Sequence, residues 1–295
     1  GSFKGWSLSQ IIPDAEQFFA FIQERWPIFL ENFKQDNQVK ENYAAYGLKV
    51  QGPVALPFDH QDIRVYIDNL FVEGKLTPVD LPGIDVGKDS WILSGISAAK
   101  SGGDELRISR LFELVDAAGL SIESRYTDWI AFALKWAELS ALIHTASNAD
   151  HKKRYSDLGQ KLNALFADWL EIHYASLINL PPSTPAMLHH VPRHLARYME
   201  DQKSNKVALV VIDGLSLDQW VTVRNIIQKQ NSDLVLRESA TFAWIPTLTS
   251  VSRQAIFSGK PPIYFPSSIN STNSEEKLWK QFWQGHDVSK LDIAY

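Results

Sequence analysis

Six consecutive apolar residues, Val207-Ala208-Leu209-Val210-Val211-Ile212, run directly into Asp213-Gly214. A short, uninterrupted apolar run closed by a turn signal reads as a strand buried on both faces of a parallel sheet. Covering both faces takes helices above and below, so this one feature commits its surroundings to an α/β layer. The following sequence agrees with that reading. Leu217 to Lys229 has helical spacing, Leu234 to Ala243 can form a second strand, and Val251 to Phe257 a second helix. Gly259-Lys260-Pro261-Pro262 stops that helix, and Ser267 to Ser274 reads as a surface loop.

Upstream the periodicity is different. Pro13-Asp14-Ala15-Glu16 opens a helix, and Phe18, Phe19, Ile22 and Trp26 follow at spacings of three to four. Pro27 is expected to kink or end it. Helical spacing returns over His60 to Val72, Glu105 to Ala118, Asp128 to Thr145 and Tyr155 to Leu177. The polar link Ala146 to Arg154 predicts an antiparallel hairpin of the last two. Trp91, Trp129 and Trp136 read as core anchors. Leu180-Pro181-Pro182-Ser183-Thr184-Pro185 ends this region, and a short basic helix with His189, His190, Arg193, His194 and Arg197 follows. The chain therefore divides into a helical domain, residues 1–185, and an α/β domain, residues 186–295.

Composition excludes several chemistries. The chain has no cysteine, so disulfides, thiolate–zinc sites and thiol catalysis are absent, which fits a cytoplasmic protein. Its apolar runs are far shorter than the roughly 20 residues of a membrane span. A net charge of −5 gives no overall attraction to nucleic acid or anionic lipid. Gly83-Ile84-Asp85-Val86-Gly87-Lys88 imitates a phosphate loop but is one residue short between its glycines, and Asp89 replaces the magnesium-binding hydroxyl. His190 and His194 stand four apart, but no metalloprotease Glu lies between them, and Pro192 would break a helix there. The first two residues, Gly1-Ser2, look like a tag remnant. Leu291 to Tyr295 reads as the start of a buried strand, so the sequence is taken as part of a longer protein.

The pairing that carries chemistry is Asp213 with Thr249. An Asp at the carboxyl end of a buried parallel strand lies where α/β sheets bind ligands. Thr249 lies where an extended segment enters a helix, whose free N–H groups suit a phosphate. A hydroxyl beside a carboxylate-held metal becomes a usable nucleophile. The plainer alternative also stands: Asp ends many strands and Thr caps many helices.

Val210-Val211-Ile212-Asp213-Gly214-Leu215, with Pro246-Thr247-Leu248-Thr249 and Phe257-Ser258-Gly259, resembles the alkaline phosphatase superfamily, and within it the PglZ family. The same likeness includes His190-Val191-Pro192-Arg193-His194, Asp218-Gln219-Trp220 and the run Pro246 to Ala255. A looser one covers Asn69 to Leu76. The resemblance implies an incomplete alkaline-phosphatase-like α/β domain with a parallel sheet, truncated at its C-terminal side. It implies a metal-dependent phosphatase or phosphodiesterase with two divalent metals, usually zinc. Asp213 would be a metal ligand, and Thr249 both a ligand and the nucleophile, with Thr247 and then Ser250 as alternatives. Arg253 would face either the phosphate or solvent. The later Asp and His ligands of the superfamily have no counterpart after Thr249; His286-Asp287 is in reverse order. PglZ proteins act in bacteriophage-exclusion (BREX) defence beside a DNA methyltransferase and a large ATPase. That context implies a DNA or nucleotide substrate and no membrane partner. A non-catalytic scaffold within the defence complex is the alternative reading.

Overall fold

A computed structural model describes residues 6–35, 46–80, 91–96, 103–181, 185–201, 206–231, 234 and 236–295. The phosphate-loop imitation at Gly83 to Lys88 lies outside them. Ten α-helices are described, with short 3-10 turns between some of them: α1 Leu8–Ile11, α2 Ala15–Gln35, α3 Gln61–Val72, α4 Gly103–Asp116, α5 Tyr126–Thr145, α6 Ala149–Leu177, α7 Val191–Asp201, α8 Leu217–Gln230, α9 Thr249–Ser258 and α10 Glu275–Gln284. None is long and apolar enough to cross a membrane. The chain divides into two compact units, residues 1–117 with 138–152 and residues 118–137 with 153–295.

The first unit is built on the aromatic stripe of α2. Trp26 is fully buried, with Phe71 at 4.7 Å, Phe58 at 5.3 Å and Trp91 at 5.7 Å between ring centroids. Pro27 neither ends nor interrupts α2. An interior proline costs about 3 kcal/mol. Burial of Trp26, Ile28 and Leu30 around it opposes that cost. The Trp26 indole N–H donates to the Gly95 carbonyl at 2.9 Å, and the ring lies flat against the glycine. A Cβ on Gly95 would stand 2.3 Å from Trp26 Cζ2, a distance no carbon pair tolerates. Gly95→Ala is therefore expected to destabilise this unit by about 2–3 kcal/mol, since the surrounding rings leave the indole nowhere to move. Thermal unfolding followed by hydrogen exchange of α2 and α3 checks it; an unchanged midpoint would contradict the packing.

In the second unit the residues of α5 before 138 pack on those of α6 after 152. Trp129 meets Phe166 at 4.8 Å, and Trp136 stacks on Tyr155 at 4.5 Å. Trp169 is buried, stacks on Phe242 at 5.4 Å and donates its N–H to the Ser124 carbonyl at 2.7 Å.

The parallel sheet expected here is not formed. Among the described residues there is no strand, only two isolated parallel bridges, Val79 with Ile96 and Met187 with Phe242. Residues 207–212 belong to no helix and have no ladder partner among the described residues. Their side chains alternate instead of being buried on both sides. Val207, Leu209 and Val211 pack on a cluster formed by Ala196, Phe257, Trp279 and Trp283, while Val210 and Ile212 are 80% and 56% exposed. A continuous apolar run implies two-sided burial only if layers exist on both sides, and here a layer exists on one. The run at 234–243, where described, forms no ladder beyond the single bridge at Phe242, and Leu291 is 96% exposed in a 3-10 turn rather than buried in a strand. The α/β class is thus corrected to a mostly helical chain.

Candidate functional site

The segment leading to Thr249 is anchored from α6. The Tyr174 hydroxyl donates to the Ala243 carbonyl at 2.8 Å and accepts the Ile245 N–H at 2.9 Å, and burial raises its pKa. One phenol thus clamps the backbone on either side of Trp244. The chain then passes Pro246 and Thr247, and α9 begins at Thr249. The first ladder bond of α9 runs from the Ser252 N–H to the Leu248 carbonyl at 2.9 Å, so the N–H groups of Thr249, Ser250 and Val251 lie outside the ladder. Thr249 and Thr247 are exposed, and Ser250 is half-buried. Helix α9 ends at Gly259, where a φ of +63° and the Phe282 ring, which would stand 2.7 Å from a Cβ, both require glycine.

Asp213 lies in an exposed turn with Gly214, whose φ is +71°. Its carboxylate has no hydrogen-bond or ion-pair partner among the described residues, and no hydrogen bond joins it to Thr249. Among the described residues no group of three or more His, Asp or Glu side chains could hold a metal. His286 and Asp287 form an exposed turn, with the His286 ring 4.6 Å from Phe282.

Arg253 takes neither of the two orientations expected from sequence. It forms a two-pronged pair with Glu275, Nε to Oε1 at 2.8 Å and one terminal nitrogen to Oε2 at 2.6 Å, and Glu275 is 2% exposed. The Tyr295 hydroxyl adds a third donor to that carboxylate at 2.8 Å. The hydrogen bond to Glu275 raises the Arg253 pKa, and the pair ties α9 to α10. Trp220 and Arg224 of α8 converge on Glu238 in the same manner, at 2.6 and 2.9 Å.

The residues that sequence reasoning passed over are His189 and Trp244. The basic helix expected around His189 instead begins with a 3-10 turn, Leu188–His190, and Pro192 lies in the first turn of α7, where its missing N–H costs nothing. His189 and His190 are both buried, their ring centroids 4.1 Å apart. His190 accepts the Ala186 and Met187 N–H groups at Nδ1, so its Nε2 carries the proton that it donates to the Ile178 carbonyl at 3.3 Å. His189 Nε2 donates to the same carbonyl at 3.1 Å. Its Nδ1 and the Trp244 Nε1 are buried without partners. These bonds, with the exposure of His194, leave no metal site at His190 and His194. No spacing rule singles out a buried imidazole beside a tryptophan 55 residues later; a His-His pair next to an apolar Ala186-Met187-Leu188 run is the one available hint.

Residues 191–295 match the family model of the PglZ domain, described as the BREX system PglZ alkaline phosphatase-like domain. No curated protein and no solved structure matches the chain. The likeness read from His190 to His194, from the Asp213-Gly214 turn and from Pro246 to Ala255 thus holds over the span in which nearly all of those residues lie.

Proposed function

We propose that this chain is part of a PglZ-type protein of a BREX phage-defence system and supplies the nucleophile end of a phosphoester-hydrolysing centre. The match of residues 191–295 to the PglZ alkaline phosphatase-like domain carries this reading. The start of α9 supports it. An exposed Thr249 hydroxyl stands among N–H groups free of the helical ladder, which suit the charge that develops on phosphoryl oxygens. In this reading Thr249 Oγ attacks phosphorus, with Thr247 and Ser250 as the neighbouring hydroxyls to compare, and the substrate is DNA or a nucleotide.

Alkaline phosphatase-like proteins usually work with metal ions. The donors among the described residues fall short of a metal site. A catalytic zinc takes about three protein ligands, and Asp213 with Thr249 offers two side chains, with no cluster of three among the described residues. The shortage also favours a second reading, in which the domain is a non-catalytic scaffold for other defence components such as the DNA methyltransferase.

The test is a calorimetric zinc titration with a bis-p-nitrophenyl phosphate assay on the wild type, Asp213→Asn and Thr249→Ala. Zinc is expected to bind weakly, Asp213→Asn to abolish that binding, and Thr249→Ala to lower hydrolysis at least about tenfold (~1.4 kcal/mol). Tight binding of two zinc ions would show that the ligands lie elsewhere. Hydrolysis indifferent to Thr249→Ala would remove the nucleophile. Phage resistance that survives Thr249→Ala in cells would favour the scaffold.

A further inference from the structure

A cleft of about 930 Å³ opens in the second unit between the end of α6, the start of α7, the segment 244–248 and the turn 260–264. Its volume is that of a small-molecule site. Neither Asp213 nor Thr249 lines it, but Leu248 and Val251 on either side of Thr249 do, so the cleft adjoins the start of α9.

Three properties distinguish it from a surface groove. Its walls are largely apolar, with Ile245, Leu248 and Tyr264 among them. Two cations, Arg193 and Lys260, line it, and neither side chain has a carboxylate partner among the described residues; both also line a smaller hollow of about 260 Å³ beside His286. Finally, two polar atoms in its lining are buried and unpaired: His189 Nδ1, on a side chain 0% exposed, and Trp244 Nε1, on one 7% exposed. A buried polar atom without a partner costs about 1–3 kcal/mol. The two stand side by side, their ring centroids 5.3 Å apart, and each calls for a partner.

The chemistry of the two atoms is complementary. The indole N–H of Trp244 is a donor that lacks an acceptor. His189 donates its Nε2 proton to Ile178, so the neutral ring leaves Nδ1 as an acceptor that lacks a donor. Both atoms are sealed from water in this structure, so contact with a ligand requires side chains of the lining to move.

We infer that this cleft binds a small amphipathic anion: a phosphate or carboxylate held by Arg193 and Lys260, an apolar or aromatic body against Ile245 and Tyr264, and adjacent acceptor and donor groups for Trp244 and His189. A nucleoside monophosphate and an N-acylated aromatic amino acid both have this pattern, and they differ in the anion.

The experiment titrates GMP, N-acetyl-tryptophan and inorganic phosphate separately into the protein by calorimetry, with ¹H–¹⁵N spectra that follow the indole N–H of Trp244, assigned through Trp244→Phe. One of the two organic anions is expected to bind saturably and to shift that signal. Arg193→Gln with Lys260→Gln is expected to weaken binding about tenfold or more. Lys260 is exposed and Arg193 half-buried, and an unchanged far-ultraviolet spectrum shows that the variant folds. GMP alone binding would identify a phosphate site, and N-acetyl-tryptophan alone a carboxylate site. Three results would overturn the inference: no saturation by either organic anion at millimolar concentration, affinity unchanged in the double variant, or inorganic phosphate binding as tightly as both.

Discussion

Arg25→Met is expected to destabilise the first unit by about 3–4 kcal/mol. The side chain is fully buried in the middle of α2, where an arginine survives only if its charge and donors are satisfied. It reaches out of the helix to the loop that precedes α3. Nε donates to the Pro53 carbonyl at 2.7 Å, one terminal nitrogen to Val50 at 2.7 Å and the other to Phe21 at 3.0 Å. The guanidinium also lies 3.8 Å over the Phe21 ring, and the Glu24 carboxylate stands 3.5 Å away. That carboxylate in turn accepts the N–H groups of Lys49 and Val50 at 3.2 Å. Methionine fills similar space but strands two loop carbonyls, and Pro53 and Val50 have no other donor among the described residues. Arg25→Lys separates charge from geometry, because an ammonium keeps the charge but cannot reach two divergent carbonyls. About half the loss is expected for lysine. Urea unfolding with hydrogen exchange of α2 and α3 measures both; a methionine variant within about 0.5 kcal/mol of wild type would mean that water replaces the fork.

That arginine also shows where reading the sequence stops. The helices were legible because their spacing is local: His60 to Val72 was expected and Gln61–Val72 is found, Leu217 to Lys229 became Leu217–Gln230, and Val251 to Phe257 became Thr249–Ser258. Thr249 at a helix start was legible for the same reason. Arg25 was not, because its partners are carbonyls that any residue could supply. The run Val207 to Ile212 misled for a physical cause. Apolar identity fixes what a residue tolerates on each face, not whether a neighbour arrives there, and the aromatic cluster of α9 and α10 covers the odd positions alone. Arg253 belongs to the same class: its spacing from Thr249 permitted a phosphate-facing role, but a buried carboxylate 22 residues later takes both prongs of the guanidinium.

The second unit is expected to lose stability in mild acid, with His189 as the main cause. Burial pushes its pKa down to about 4, helped by the neighbouring His190 and by Arg193, and opposed by the hydrogen bond to Ile178. His190 shifts the same way, chiefly through burial. An unfolded histidine takes up its proton near pH 6.5. Below about pH 6.5 the unfolded chain therefore gains a proton that the folded ring refuses until about pH 4. The stabilisation is full above that window and is lost as pH falls through it, amounting to about 2 kcal/mol by about pH 5. Carboxylates titrate mostly lower, so the interval between about pH 6.5 and 5 isolates the imidazoles. His189→Gln keeps an N–H that can serve the Ile178 carbonyl and removes the titrating group. It is expected to flatten the dependence of urea midpoint on pH across that interval, whatever it costs at pH 8. Parallel curves for the two proteins would mean that His189 takes up its proton in the folded state without penalty. The neutral ring that leaves Nδ1 as an acceptor in the cleft wall would then be the wrong species.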